Sequence, residues 1–224
     1  MNTVVGILGL GVRSTNFYSN QLHQKMHNYY GDYHTFPFLN YQIDFNRLNP
    51  YLPNNFEKLI PNVNIILKEI EKFKVQHWLV PNITLHETLD KVNHNVSLLH
   101  PIELAIKNCI ENKITSVVIL GTNYTMQSEY LSFNFKNAKI EVKSISNDDK
   151  ELVNNLRIKI YNSEESSLDM KNYKNLISKY SLDSHIIIAC TELSLLTSNL
   201  KNKKILDLAQ LQINEAFNTF LKTK

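Results

Sequence analysis

With 224 residues, 43% of them hydrophobic and 20% charged, the chain has a globular composition and enough length for one large domain or two small ones. A net charge of +3 is too small, and the lysines too dispersed, to point to nucleic acid; it suits a small anionic substrate. Two cysteines make neither a disulfide framework nor a metal site, and no apolar run approaches the roughly 18 residues of a membrane span, so a cytoplasmic protein with no metal and no membrane contact is expected.

Val4–Leu8 predicts a first strand, and the stretch through Val12, broken by Gly6, Gly9 and Gly11 and preceded by no Lys or Arg, is not a signal peptide. A helix follows from about Ser14 to Tyr29, with Ser14 or Thr15 as its cap. Gly9-x-Gly11 matches half of a dinucleotide fingerprint, but Ser14 stands where the third glycine belongs, so no nucleotide cofactor is expected. Phe36–Ile43 predicts a second strand, and Arg47 follows it closely, where α/β proteins bind ligands and where a planar guanidinium suits a carboxylate. A solvated surface arginine is the alternative. Beyond Pro61, the spacing of Val63, Ile66, Leu67, Ile70 and Phe73 predicts a helix with one apolar face. His77–Val80 predicts a strand that ends in the polar turn Pro81-Asn82-Ile83-Thr84-Leu85-His86-Glu87, with a short helix from His86. Val96–Leu99 is a further apolar piece, and Pro101 suits a helix start.

The second half repeats the scheme. Helix Pro101–Asn112 carries Cys109 on its apolar stripe, a structural place for a thiol, and strand Ser116–Leu120 leads into Gly121-Thr122-Asn123-Tyr124-Thr125, a turn dense in hydroxyls and N–H donors able to hold a carboxylate or an enolate. Lys139–Lys143 predicts a strand, Asp148–Tyr161 and Asp169–Tyr180 helices, Lys204–Leu206 a short strand and Leu208–Leu221 a terminal helix. Between them, His185–Ala189 is an apolar, β-branched run followed by Cys190 and by Thr191–Leu196 as a helical turn. A thiol at a helix N-terminus faces unpaired N–H groups and the positive end of the dipole, which predicts a lowered pKa and a candidate proton-transfer group; a small buried hydrophobe is the alternative. Strands alternating with helices predict α/β with parallel sheets. The junctions after His77–Val80 and His185–Ala189 lie about half a chain apart, as in two similar lobes facing each other across a cleft.

Four segments resemble the aspartate/glutamate racemase superfamily: VVGILGLGVRST (Val4–Thr15) its opening strand and loop, PNITLH (Pro81–His86) its PCNTAH-like segment, VVILGTNYTM (Val117–Met126) its LLGTxxTM segment, and ACTE (Ala189–Glu192) its GCTE-like segment. In order, they cover nearly the whole chain. The resemblance implies an α/β protein of two similar lobes, each a mostly parallel sheet flanked by helices, with the active-site cleft between them. Residues 1–98 with 207–224 would form one lobe and 99–206 the other. It implies a homodimer without cofactor, a loop over the substrate near Gly9–Gly11, Arg47 on a distal carboxylate, Thr84, Thr122, Thr125 and Thr191 around the substrate, and His86 and Glu192 in supporting places after the two junctions.

The family inverts an α-carbon with two cysteines, one per lobe. Here Cys190 fills one place and Asn82 the other, and the neighbouring family asparagine is Ile83. A carboxamide donates hydrogen bonds but takes no α-proton at neutral pH. Three functions are therefore expected to compete: an aspartate- or glutamate-type racemase with Cys190 as its base, a single-cysteine decarboxylase or proton-exchange enzyme like the superfamily's arylmalonate decarboxylases, and a catalytically silent carboxylate-binding relative.

Overall fold

The computed structural model describes residues 3–197, 200 and 202–223. It divides into two compact units, Met1–His100 with Gln212–Lys224 and Pro101–Leu211.

In the first unit, strand β1 (Thr3–Gly9) leads to helix α1 (Val12–Tyr30), β2 (Leu39–Gln42), α2 (Phe56–Ile70), β3 (Val75–Leu79) and the single turn α3 (His86–Leu89). The sheet is parallel with the order β2-β1-β3. The central strand is apolar on both faces, with Val5, Ile7 and Leu8 buried, as a parallel strand covered by helices requires. Gly6 lets the Trp78 ring lie against β1, since a Cβ there would stand 2.7 Å from the indole. Helix α2 buries Leu59, Val63, Ile66, Leu67 and Ile70 on one face, each fully buried apolar side chain contributing roughly 1.5–3 kcal/mol. It begins at Phe56, not beyond Pro61: Asn55 caps it by accepting from Lys58 N–H, and Pro61 sits one turn in, where its missing N–H costs one early hydrogen bond. The apolar piece near Val96–Leu99 adds a parallel bridge, Trp78 to Leu98, to the edge of β3.

The second unit runs α4 (Pro101–Glu111), β4 (Ser116–Gly121), α5 (Asn123–Gln127), α6 (Glu129–Asn137), β5 (Glu141–Lys143), α7 (Asn147–Asn162), α8 (Ser167–Tyr180), β6 (His185–Ala189), α9 (Thr191–Thr197), β7 (Ile205–Asp207) and α10 (Leu208–Leu221). Its sheet is also parallel, in the order β5-β4-β6-β7, so the arrangement of first strand between second and third recurs. Its core joins Val118, Leu120, Ile186 and Ile188 to α7 and α8 through Val153, Leu156, Tyr173 and Leu176. The chain returns to the first unit within α10, at Gln212, whose buried amide donates to Leu99 O at 2.7 Å while its carbonyl accepts from the Tyr18 hydroxyl.

Two further local expectations are corrected. Neither Ser14 nor Thr15 caps α1: the helix starts two residues earlier with Gly11 at its N-cap, Thr15 Oγ1 accepts from Leu10 N–H at 3.0 Å, and the Ser14 hydroxyl donates to Gly11 O. The second strand is confined to Leu39–Gln42, because parallel pairing with β1 runs only from Gly6–Leu39 to Gly9–Gln42.

Candidate active site

All expected site residues follow the carboxyl ends of parallel strands, the end of the sheet at which α/β proteins usually bind ligands. They form two sets, one in each unit.

In the second unit the structure brings Thr122, Thr125, Cys190, Thr191 and Glu192 onto neighbouring strand ends, because β4 and β6 pair in register up to Gly121 and Ala189. Gly121 makes this possible: a Cβ there would meet Ala189 O at 2.9 Å and would overlap the Thr125 hydroxyl. Thr122 is the N-cap of α5, its Oγ1 accepting from Thr125 N–H at 3.1 Å, while the buried Thr125 hydroxyl donates back to Thr122 O at 2.9 Å. Thr125 thus shapes the turn and is buried, whereas Thr122 is half-buried, its Oγ1 3.1 Å from the Thr125 hydroxyl.

Cys190 is 5% exposed and its thiol donates to Glu192 Oε2 at 3.0 Å, a carboxylate oxygen that also accepts from the Thr191 hydroxyl at 3.3 Å. This corrects the expected lowering of the thiol pKa. Burial first, then the charge of Glu192 and its hydrogen bond, push the Cys190 thiol well above the ordinary range. The Leu193 and Glu192 N–H groups at the start of α9 pull the other way and lose. The resting group is therefore a thiol bonded to a carboxylate, and Cys–SH with Glu–COO⁻ holds the same number of protons as Cys–S⁻ with Glu–COOH.

Behind this turn lies a buried polar brace. Asp207 accepts from the Ser194 and Thr197 hydroxyls, both at 2.8 Å, and from Ala209 and Gln210 N–H, so one carboxylate caps α10 and holds α9. Ser194 also donates to Cys190 O at 3.3 Å, tying the brace to the cysteine's backbone. Tyr173 packs in the same cluster; its buried hydroxyl has no hydrogen-bond partner among the described residues, and its pKa is raised by burial, then by Asp207 and Cys190. The sequence offered no sign of Tyr173 or Asp207 as neighbours of Cys190, since helix α8 and strand β7 reach it only through the fold.

In the first unit Asn82 does structural work. Its Oδ1 accepts from Leu85 N–H at 2.9 Å and its N–H donates to Val80 O at 2.8 Å, pinning the turn after β3 and leaving the side-chain NH2 without a partner among the described residues. Ile83 is buried, and Thr84 is half-buried on the same turn. His86 is fully buried, its Nε2 3.4 Å from Val80 O and its ring edge-on to His100 at 4.7 Å. Desolvation, then the His100 charge, push its pKa down to about 3, so it is a neutral packing residue near pH 7 and no proton carrier. Arg47 lies in a short 3-10 turn, Phe45–Arg47, after β2. It is half-buried, and its charge reaches the Tyr41 hydroxyl, whose pKa is raised mainly by its hydrogen bond to Glu69. Because β1 stands between β2 and β3, the fold does not set Arg47 beside Asn82 on adjacent strand ends.

No family model and no curated protein matches the chain. Among solved structures it is similar to an aspartate racemase homologue from Pyrococcus horikoshii, with a TM-score of 0.80 and 19% identity over 100% of both chains. It is also similar to a glutamate racemase from Bacillus anthracis, with a TM-score of 0.65 and 17% identity over 99% of this chain and 82% of that one. A maleate isomerase from Pseudomonas putida aligns with a TM-score of 0.57 and 10% identity, over 97% and 92% of the two chains. The chain has the two-sheet α/β fold of the aspartate and glutamate racemases.

Proposed function

We propose that the chain is a racemase-like enzyme, working without a cofactor, that moves a proton at the α-carbon of a small carboxylate, an acidic amino acid such as aspartate or glutamate. The observation that carries this reading is the buried Cys190 thiol bonded to Glu192 at 3.0 Å, at a strand end beside the Thr122–Thr125 turn. Glu192 takes the thiol proton, and the Cys190 thiolate takes the α-proton, so the C–H bond breaks, an S–H bond forms and the electron pair passes into the substrate carboxylate as an enediolate. Thr122 and backbone N–H groups supply hydrogen bonds to that developing charge. The solved structures sharing this fold and named as racemases and an isomerase support an isomerase-type reaction.

A second reading draws on a specific observation. Asn82 cannot carry a proton, and Cys190 rests as a thiol, a single proton carrier that suits delivery of one proton to an enolate. Chiral analysis of L- and D-aspartate and glutamate incubated with the protein in deuterated water separates the two. Inversion with α-deuterium supports the racemase, deuterium with retained configuration supports one-sided transfer, and neither with any acidic amino acid rejects the first reading.

A further inference from the structure

At the amino end of β3, the end opposite to Asn82, the first unit carries a cleft of two adjoining recesses of about 300 and 370 Å³, in the size range of small-molecule sites. Glu71, the C-cap of α2, and Asn95 line both recesses, and Glu71 Oε1 accepts from Asn95 N–H at 2.9 Å. The segment after Asn95 is held on the edge of β3. Trp78 N–H donates to Ser97 O at 2.8 Å, Leu99 N–H donates to Trp78 O at 3.0 Å, and His77 Nδ1 lies 2.9 Å from the Ser97 hydroxyl.

The smaller recess has an aromatic wall with a polar handle. Trp78 lines it, 2% exposed and packed through its benzo carbons against β1 at Gly6, yet its indole N–H donates to no described residue. Phe73 beside it is 39% exposed, its ring centroid 6.3 Å from that of Trp78 and 5.5 Å from that of Tyr41. A buried indole N–H ordinarily finds an acceptor, and an aromatic ring held half in water offers an apolar face to a ligand.

The polar groups set the ligand's charge and hydrogen-bonding character. Glu71 on the shared lining disfavours an anion, and Lys68 in the larger recess disfavours a cation. Donors and acceptors are mixed: the Trp78 N–H donates, the second Glu71 oxygen accepts, and the Asn64, Asn93 and Asn95 amides, without side-chain partners among the described residues, do both. A hydroxyl, which also donates and accepts, satisfies such a lining. A ring bearing several hydroxyls and an apolar C–H face matches both the amides and the Phe73 wall.

We infer that this cleft binds a neutral sugar, with one pyranose ring against Phe73 and Trp78 and a second sugar in the recess of Asn64, Lys68 and Asn93. None of these residues belongs to the Asn82 or Cys190 junction, so the sugar site is separate from the proton-transfer chemistry proposed above.

Trp78 is the single tryptophan of the chain, so its indole N–H signal in an amide-correlation NMR spectrum reports on this cleft. The full chain is titrated with maltose, cellobiose, lactose and chitobiose, and with succinate as an anionic control. At least one disaccharide is expected to move the indole signal saturably, with a Kd of about 1 mM or tighter. Phe73→Ala, which removes the apolar wall, and Glu71→Ala, which removes an acceptor, should each weaken that binding at least about tenfold. Thermal melts check that each variant is folded, and Glu71→Ala, at an exposed position, carries the test if Phe73→Ala is not. No movement with any of the sugars, or equal binding by wild type and the folded variants, overturns the inference. Movement with succinate alone does so as well, since it would assign the cleft to anions. Sugar binding by a protein that inverts no amino acid leaves the inference standing and removes only the racemase reading.

Discussion

The Cys190 thiol and the Glu192 carboxylate share one proton across 3.0 Å, and burial together with that carboxylate holds the thiol protonated against the pull of the α9 N-terminus. The proposed reaction turns on this pair, with the thiol as the proton-transfer group and the Glu192 carboxylate as the base that accepts its proton.

Replacing Glu192 by Gln removes the charge and the anionic acceptor while keeping the shape. Because both raise the Cys190 pKa, the variant should form thiolate at lower pH than wild type, read as ultraviolet thiolate absorbance against pH with Cys190→Ser as the blank. An unchanged titration would show that burial alone sets the thiol.

Asn82→Cys tests the altered first junction by two measurements. The substitution loses the Oδ1 acceptor of Leu85 N–H, so denaturant unfolding should show a loss of roughly 0.5–2 kcal/mol, as for other lost caps. If residue 82 and Cys190 face opposite sides of the substrate, as the family resemblance implies, it also supplies a second proton carrier, which should raise inversion of an acidic amino acid by about 10²–10⁴-fold over wild type. A folded variant that gains no inversion would favour one-sided proton transfer or a binding role.

Acid stability should reflect His86. Its folded pKa, about 3, lies below the ordinary 6.5, so the unfolded chain binds the proton first and stability is lost as pH falls from about 6.5 toward 3. The slope from this residue is at most about 1.4 kcal/mol per pH unit. Unfolding midpoints measured across that window should fall less steeply in a folded His86→Leu variant, and parallel curves would contradict the assignment.

The brace behind Cys190 makes opposite predictions for two neighbours. Asp207→Ala strands two hydroxyls and uncaps α10, and should cost roughly 3 kcal/mol. Tyr173→Phe removes a buried hydroxyl that has no partner among the described residues, and should leave the thermal midpoint unchanged or higher. A marked loss in Tyr173→Phe would reveal a hydrogen bond there.

Where periodicity and turn chemistry agreed, the fold was legible in the sequence: β6 spans His185–Ala189 and α10 Leu208–Leu221, as expected from their apolar patterns. Helix α6 escaped notice because only Leu131 and Phe135 are buried on it, one turn apart, although Ser128 marks its cap. The positions of Cys190, Asn82 and the Thr122 turn followed from motifs, but the sign of the Cys190 pKa shift did not. The local term, a helix N-terminus, is visible in sequence, whereas desolvation depends on α7 and α8 packing over β6.

The most direct test of the account is exchange of the α-proton of aspartate and glutamate in deuterated water, followed by proton NMR for wild type and a folded Cys190→Ala variant. The account predicts loss of the α-proton signal with wild type on at least one enantiomer and none above the uncatalysed rate with Cys190→Ala, since no other proton carrier is assigned to the site. Exchange that persists undiminished in Cys190→Ala would contradict it.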